Sequence, residues 1–204
     1  LLKRLGAKVV VTGENFAFGH QRRGNVDMLN AWGIKNNIRI ITVPPLRIHG
    51  EICSSSAIRS AISVGQVARA ATLLGHPYAI HGRVMHGDER GRTLGFPTAN
   101  VHLVPDLLLP AFGVYAVRAR LGDTLFEGVA NIGIRPTVAV DACPSLEMHL
   151  FDTVQEIYGK KLEIFFVDNI RNEKKFESLD ALKNQIAADA DTARRMLAAT
   201  PLVV

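Results

Sequence analysis

The hydrophobic pattern of this chain changes its period once, and that change constrains the possible folds more than any other feature. Before the tripeptide Gly75–Pro77, short β-branched runs alternate with segments whose apolar residues recur every three or four positions. After it, apolar and polar residues alternate at every second position, as in half-buried β-strands. The pattern therefore predicts two domains, at residues 1–76 and 77–204.

The first predicted domain is an α/β layer in which strands and helices alternate. Its elements are strands at Val9–Thr12 and Ile38–Val43, a weak helix at residues 27–37, and helices at Ala57–Ile62 and Val67–Leu74. Parallel sheets of this kind normally contain three or more strands, and only two are evident. We therefore expect that an N-terminal part of this domain is absent from the chain.

The second predicted domain is a small antiparallel barrel closed by one helix. Gly122 and Asp123 form a two-residue hairpin link. A helix is expected from Ser178, its N-cap, to about Ala198. Its apolar face comprises Leu182, Ile186, Ala190, Ala193 and Leu197. The six strands are expected at Tyr78–Met85, Ala99–Leu103, Val114–Leu121, Thr124–Ile132, Leu146–Phe151 and Leu162–Asp168.

Charge and composition exclude several classes of partner. Residues 1–80 carry ten Lys/Arg and three Asp/Glu, whereas the remaining residues, which include the barrel, carry fourteen and sixteen. With an acidic barrel and only 6% aromatic residues, we expect no nucleic-acid partner. No apolar run approaches the ~20 residues that span a bilayer, so we expect no membrane association. Two cysteines without CxxC spacing favour a reducing, cytoplasmic location.

A glycine-rich stretch links the first two predicted barrel strands. Such a loop can bring backbone N–H groups close to phosphates, and its arginines supply positive charge. It matches neither GxxxxGK[ST] nor GxGxxG, so a long connection without a ligand is equally consistent. The residues concerned are Gly82, Arg83, Gly87, Arg90, Gly91, Arg92 and Gly95.

Two motifs offer candidate catalytic or metal-binding side chains. Thr98 and Asn100, which follow Pro97, point to the same side of an extended segment and carry hard oxygen ligands suited to Mg²⁺ on ATP phosphates. A local hydrogen bond at a turn would give the same spacing. In SLEMHLFD, Glu147 faces away from the apolar row and is either a solvated carboxylate or a general base, with His149 as the rival base on that face.

Several loop and helix-start arginines are weaker candidates for anion binding. Arg22 and Arg23 lie beside glycines, and Arg59 follows a hydroxyl-rich helix start, where free N–H groups attract phosphate. Arg135 lies in NIGIRP, which we interpret as a polar loop. Surface charge and helix capping explain all four positions equally well.

Several separate strings resemble, in order and spacing, the riboflavin kinase module of the bacterial bifunctional riboflavin kinase/FMN adenylyltransferase family: GRTLGFPTAN, GVYAV, NIGIRPT, LEMHLFD with IYG after it, and IRNEKKFESLDALKNQI. In residues 1–75, GENFAFG and CSSSAIR resemble the end of the adenylyltransferase module of the same family, also called FAD synthetase. The resemblance implies a Rossmann-like nucleotidyltransferase remnant, followed by a six-stranded antiparallel Greek-key β-barrel with a C-terminal helix.

The resemblance also implies an activity, in which ATP phosphorylates the ribityl 5′-hydroxyl of riboflavin to give FMN and ADP. Glu147 would be the base, and Thr98 and Asn100 would bind Mg²⁺. The implied ATP-binding residues are Gly82, Arg83, Gly87, Gly91, Arg92, Gly95, Pro97, Thr98 and Asn100. The implied flavin-binding residues are Arg171, Glu173, Phe176, Asp180, Leu182 and Gln185.

The first domain departs from the family pattern. The family more often has Asp at Asn15, Ile or Val at Cys53 and Thr at Ser56, and its HxGH motif has no counterpart here. We therefore expect the chain to lack a working site for converting FMN to FAD. The residues that match the adenylyltransferase motifs are Asn15, Phe16, Phe18, Gly19, Ser54, Ser55, Ser56 and Arg59. A flavin- or nucleotide-binding module without turnover is the alternative, and a basic nucleic-acid-binding barrel is a more distant one.

Overall fold

The computed structural model describes residues 2, 4–85, 96–104, 107–134, 144–152 and 157–201. Contacts divide the chain into two compact units, Leu1–Cys53 and Ser54–Val204. We describe each unit by itself. The domain boundary predicted between residues 76 and 77 separates two sequence modules, whereas the division into units is based on contacts. That boundary therefore stays a prediction.

The first unit contains a two-stranded parallel sheet and one helix. Strand β1 is Val9–Gly13, helix α1 is Val26–Lys35 and strand β2 is Arg39–Val43, with β1 and β2 paired in parallel. The Asn25 side chain caps α1 by accepting a hydrogen bond of 2.9 Å from the Met28 N–H. A short hairpin, which the sequence pattern did not reveal, follows as β3 (Arg47–Ile48) and β4 (Glu51–Ile52).

The second unit contains the predicted six-stranded barrel. All neighbouring strands are antiparallel, and their order around the closed barrel is β10-β5-β6-β9-β8-β7. Strands β7, β8 and β9 form consecutive hairpins and β6 lies beside β9, which is a Greek-key arrangement. The strands are β5 (Tyr78–Met85), β6 (Ala99–Leu103), β7 (Gly113–Leu121), β8 (Thr124–Ile134), β9 (Pro144–Leu150) and β10 (Lys161–Asn172).

The predicted strands match the observed ones closely, with one informative difference. Residues 131–134 of NIGIRP continue β8 and pair with β9, although we interpreted them as a loop. Ala130 and Ile132 point into the barrel and Val129, Asn131 and Gly133 point outward, so the alternation of a strand continues beyond Ile132. Arg135 lies outside the described residues.

Among its described residues, the second unit contains the helices α2 (Ser55–Ser63), α3 (Val67–Leu74) and α4 (Leu179–Ala199). Helices α3 and α4 pack against the barrel, and α2 packs on α3. The Ser178 side chain accepts a hydrogen bond of 3.1 Å from the Ala181 N–H, as the predicted N-cap requires. Gly75 ends α3 in the left-handed conformation, with φ of 79°, which a residue without a Cβ adopts at little cost.

Strand β7 of the barrel wall is buried on both faces. Tyr115 and Val117 of β7 point into the interior core, whereas Val114 and Ala116 contact the outer core under α4. Helix α4 packs on β7, β8 and β10 through Ala193 and other residues of its C-terminal half. A strand covered on both faces is apolar throughout, which explains the continuous apolar run of GVYAV.

The apolar face predicted for α4 is divided between two environments. Ala190, Ala193 and Leu197 are buried against the barrel. Leu182 and Ile186 are only half-buried and line a cavity instead. The helix therefore contributes its C-terminal half to the core and its N-terminal half to a site.

We expect Phe166→Ala to lower the free energy of unfolding of the second unit by about 3–5 kcal/mol. The Phe166 ring is fully buried and contacts the rings of Tyr78 and Tyr115, with centroids 6.3 and 5.5 Å away. All three tyrosines lie in the second unit, and the single tryptophan, Trp32, lies in the first. Urea unfolding followed by near-ultraviolet tyrosine dichroism therefore reports the second unit, and tryptophan fluorescence reports the first.

The control for this measurement is Leu125→Ala, because the Leu125 side chain is 40% exposed. We expect that variant to lose less than about 1 kcal/mol. A loss for Phe166→Ala as small as that of the control would contradict its central place in the core.

Candidate functional site

A cavity of about 340 Å³ lies on the outer wall of the barrel, under the N-terminal half of α4. It combines apolar side chains with carboxylates and basic groups, as ligand sites commonly do. Its lining residues are Phe96, Thr98, Val114, Val129, Ala130, Asn131, Glu147, His149, Arg171, Glu173, Lys174, Phe176, Leu182, Ile186 and Asp189. Thr98 and Glu147, which are almost fifty positions apart in the sequence, both line this cavity.

Three polar residues form one row across neighbouring strands. Glu147 of β9 pairs with Asn100 of β6 on one side and with Asn131 of β8 on the other. Directly paired residues of antiparallel strands project their side chains to the same face, about 5 Å apart at Cβ. Their sequence neighbours Leu146 and Met148 are buried inside the barrel, so the row lies on the outer face. Glu147 is thus held between two carboxamides at the edge of the cavity.

Thr98 lies between two cavities. It lines the 340 Å³ cavity and also a smaller one of about 100 Å³, whose other walls include Pro97, Leu150 and Tyr158. A ligand in the small cavity and a ligand in the large one would meet at this residue. Thr98 is half-buried, so its hydroxyl has restricted access to water.

The oxygen atoms near Thr98 fit a magnesium ion better than a zinc ion. The described residues contain no group of three His, Cys, Asp or Glu side chains that could hold a metal. Thr98 and Asn100 instead offer a hydroxyl and a carboxamide oxygen, and the register places Asn100 beside Glu147. Mg²⁺ is bound by few protein oxygens and completes its shell with water and substrate phosphates. These residues therefore fit the expected ion.

The Glu173 carboxylate reaches the barrel wall because Gly133 has no side chain. A Cβ atom on Gly133 would clash with Glu173 Oε1. Gly133 lies two residues after Asn131 on the same strand, so Glu173 and Asn131 approach the same part of the outer face. The glycine provides room for a second carboxylate at the cavity.

An ion pair fixes the helix side of the cavity. Asp189 is only 4% exposed and accepts hydrogen bonds from Arg171 Nε at 3.1 and 2.9 Å. Gln185 Nε2 donates to the same carboxylate at 2.9 Å. The Arg171 guanidinium also lies over the Phe176 ring, 5.4 Å from its centroid. This network fixes the positions of Arg171 and Phe176 relative to α4.

The predicted flavin-binding residues do not all line the cavity. Arg171, Glu173, Phe176 and Leu182 line it. Gln185 contributes through its hydrogen bond to Asp189, and Asp180 is exposed in the first turn of α4, outside the lining.

The predicted ATP-binding residues lie in different places. Pro97 and Thr98 lie at the small cavity. Gly82 and Arg83 line a different groove of about 560 Å³ on the barrel wall, where Arg83 Nη1 donates to the Gly159 carbonyl at 2.8 Å. Asn100 lies on β6, opposite Glu147 of β9. The other four, Gly87, Gly91, Arg92 and Gly95, lie outside the described residues.

The residues matched to the adenylyltransferase motifs are divided between the two units. In the first unit, Asn15 lines a cavity of about 610 Å³, and the rings of Phe16 and Phe18 stack at 5.7 Å. Gly19 has a positive φ of 78°. In the second unit, Ser54 caps α2 by accepting from the Ala57 N–H at 3.2 Å. Ser55, Ser56 and Arg59 are exposed on the same helix.

Sequence reasoning missed the apolar wall of the site that Phe96, Val114, Val129 and Ala130 form, and three polar residues, namely Asn131, Lys174 and Asp189. Asn131 shares the outer face with Val129, a signal that was present in the alternation of β8. Asp189 lies four residues after Gln185 and therefore on the same side of the helix. Nothing in the pattern distinguished it from the solvated charges around it.

A family model for riboflavin kinase matches residues 74–197. The chain belongs to the riboflavin kinase family. A second model, for FAD synthetase, matches residues 1–57. The resemblance inferred from the motifs is therefore confirmed, and so is the barrel expected from it.

Two bifunctional riboflavin kinase/FMN adenylyltransferases are similar to most of the chain. The protein of Escherichia coli K12 is 45% identical over 201 residues, which are 98% of this chain and 64% of that protein. The protein of Haemophilus influenzae is 44% identical over 195 residues, covering 95% of this chain and 63% of its own length. The chain thus spans less than two thirds of these relatives.

A crystal structure described as a macrolide-efflux protein from Streptococcus pneumoniae shares the fold. It is 36% identical, with a TM-score of 0.82 over 95% of this chain and 62% of that one. Among the residues that the structure describes here, no helix is both long and apolar enough to cross a membrane.

We expect Asp189→Asn to lower the free energy of unfolding of the second unit by on the order of 2 kcal/mol. Removing one member of a buried ion pair costs about 3–5 kcal/mol, because the other charge stays buried without a partner. Here the cost is smaller because 21% of the Arg171 side chain is exposed. Asp191→Asn, on the exposed side of the same helix, is the control, and equal urea midpoints for the two variants would contradict a structural ion pair.

Proposed function

We propose that this chain is a riboflavin kinase, which transfers the γ-phosphoryl group of ATP to the ribityl 5′-hydroxyl of riboflavin. The observation that carries the proposal is the position of Glu147, which faces the cavity from between Asn100 and Asn131 and lies near Thr98. The E. coli and H. influenzae relatives are named for the same activity.

Glu147 is the general base of the proposed reaction. Its carboxylate accepts the proton of the 5′-hydroxyl while that oxygen forms a bond to the γ-phosphorus. The bond from the γ-phosphorus to the β–γ bridging oxygen breaks, and ADP leaves with that oxygen. Such transfers depend on positioning and charge stabilisation more than on covalent catalysis, so one oriented carboxylate is sufficient.

Thr98 and Asn100 hold the nucleotide phosphates in this proposal. Mg²⁺, when bound to ATP there, would neutralise phosphate charge. The Thr98 hydroxyl supplies an oxygen ligand at the boundary between the two cavities, and the Asn100 carboxamide supplies one beside Glu147 on the neighbouring strand. We place the nucleotide on the side of Pro97 and Tyr158 and the flavin on the side of Glu147. Gly82, Arg83, Gly87, Gly91, Arg92 and Gly95 remain proposed ATP contacts.

The large cavity suits a flavin because its walls are of two kinds. Val129, Phe176, Leu182 and Ile186 offer apolar surface for the fused rings. Arg171, fixed by its ion pair, and Glu173 offer polar contacts for the ring edge and the ribityl hydroxyls. We include Asp180 and Gln185 in the proposal as residues that approach the flavin from α4.

We propose that Asn15, Phe16, Phe18 and Gly19 of the first unit are the remnant of one adenylyltransferase motif. Separately, we propose that Ser54, Ser55, Ser56 and Arg59 of the second unit are the remnant of another. The sequence contains no HxGH string. We therefore assign turnover in this chain to the barrel and expect no conversion of FMN to FAD.

The test of this proposal is chromatography of flavins after the purified chain is incubated with riboflavin, ATP and Mg²⁺, and separately with FMN, ATP and Mg²⁺. FMN formed from riboflavin, without FAD from either substrate, is the expected result. Riboflavin binding without FMN formation would leave a flavin-binding module, and FAD formation would overturn the assignment of turnover to the barrel alone.

We expect Glu147→Gln to reduce kcat by roughly 10²-fold or more, because the amide keeps the size of the side chain and cannot accept the proton. Riboflavin affinity, measured by fluorescence quenching, should change little. Glu177→Gln is the matched control, since Glu177 is exposed and lies outside the cavity lining. An unchanged rate for Glu147→Gln would remove this residue from the mechanism.

We expect Thr98→Ala to raise the KM for ATP roughly tenfold at limiting Mg²⁺, because a contact to a charged group is lost. Thr124→Ala, in the exposed β7–β8 hairpin, is the control. The measurement is initial velocity against ATP concentration at several Mg²⁺ concentrations. A normal ATP dependence at every Mg²⁺ concentration would exclude Thr98 as a ligand.

A further inference from the structure

We propose that His149 is a positioning residue, which holds the segment Phe96–Thr98 against β9 and thereby fixes the Thr98 hydroxyl. This inference rests on the proposed role of Thr98 in nucleotide binding. His149 lies on the same outer face of β9 as Glu147 and was the other candidate for the general base. The inference gives His149 a different role.

The backbone pairing of β6 with β9 ends before it reaches Thr98. The register runs from Val101 opposite Leu146 to Ala99 opposite Met148. One step further along the same ladder, Thr98 comes opposite His149. Thr98 therefore lies just beyond the hydrogen-bonded strand pair, and its position depends on contacts other than that ladder.

His149 supplies such a contact through its imidazole ring. Its Nδ1 atom lies 2.9 Å from the carbonyl oxygen of Pro97, the residue before Thr98. A carbonyl oxygen can only accept, so we assign the proton to Nδ1, which donates. This hydrogen bond attaches the segment to β9 beyond the point where the backbone pairing of β6 with β9 ends.

Two aromatic rings orient the imidazole. The Phe96 ring meets the His149 ring edge-on, with centroids 5.5 Å apart and planes at 85°. The Phe151 ring, which follows the last residue of β9, also meets the His149 ring edge-on, with centroids 5.7 Å apart and planes at 71°. His149 thus contacts the segment twice, through the Phe96 ring and the Pro97 carbonyl.

Helix α4 supports this arrangement from behind. The Arg194 guanidinium lies 4.1 Å from the centroid of the Phe151 ring and pairs with the Asp152 carboxylate at 2.9 Å. The hydrogen bond and charge of Arg194 lower the pKa of Asp152, so this pair stays ionised at neutral pH. Contacts therefore run without a break from α4 through Phe151 and His149 to the residue before Thr98.

Three substitutions separate the hydrogen bond of His149 from the other properties of its ring. His149→Asn keeps an amide N–H close to the position of Nδ1, and His149→Gln moves the amide towards the position of Nε2. His149→Phe keeps an aromatic ring without a donor. None of the three side chains can act as a general base at neutral pH. His76→Phe is the control, because His76 is exposed, its Nδ1 atom lies 3.0 Å from the Pro77 carbonyl oxygen, and it lines neither of the two cavities that meet at Thr98.

Two readouts are needed, namely the affinity for Mg²⁺–ADP by calorimetry and the kcat and KM of FMN formation. We expect His149→Phe and His149→Gln to weaken Mg²⁺–ADP binding and raise the KM for ATP by roughly tenfold, the effect of one lost hydrogen bond near a charged ligand. His149→Asn should recover most of the affinity, and the control should match the wild type.

Two results would overturn the inference. The first is wild-type Mg²⁺–ADP affinity in His149→Phe. The second is an equal loss of kcat in all three variants with unchanged nucleotide affinity, which would indicate that the ring acts on the proton of the substrate. Absence of FMN formation by the wild-type chain would instead contradict the proposed function, and the calorimetric comparison would still decide the role of His149.

Discussion

The structure depends on burial of both faces of the barrel wall where α4 covers it. Inside, the interdigitated side chains of six strands form one core, and outside, α4 covers β7, β8 and β10 with a second. Arg118 of β7 secures the end of that helix, because it donates a hydrogen bond of 2.7 Å to the Leu197 carbonyl in the last turn, which also accepts one from the Thr200 N–H. Arg118 Nε also donates a hydrogen bond of 3.2 Å to the Glu127 carboxylate. Without this second layer, the outer side chains of β7 would expose apolar surface to water.

The candidate site lies on the part of the barrel wall against which α4 does not pack directly. Where α4 touches the barrel, the outer positions are small or apolar, as at Ala116 and Val129. Towards the start of the helix they become Asn131 and Glu147, and a cavity replaces the contact. The buried carboxylate of Asp189 marks the transition, because it belongs to the helix core yet directs Arg171 into the cavity. Stability and ligand contact are therefore divided along one helix and one sheet face.

The strands and α4 could be predicted because alternation and N-capping are local properties, and Ser178 identified the start of α4 to the residue. The pairing of Glu147 with Asn100 and Asn131 could not, since register across strands is a property of the closed barrel. Arg83 illustrates the same limit, because spacing gives its face of β5 but not which groove that face borders. The proposed roles of Glu147 and Thr98 rest on family resemblance, and the residue pattern alone leaves both open. Asp189 was missed because a buried charge follows the same helical spacing as an exposed one.

The unequal burial of α4 has a consequence for how the molecule opens. Residues 179–188 include no buried side chain, whereas the buried residues of the helix begin at Asp189. Local unfolding costs least where least surface is buried, so the first turns of α4 can separate from the wall while the later turns stay attached. Fraying of that half exposes the cavity but leaves both cores intact. The half of α4 that lines the cavity is thus the half whose local unfolding costs least, and the Asp189–Arg171 ion pair is the first buried polar contact that such unfolding would reach.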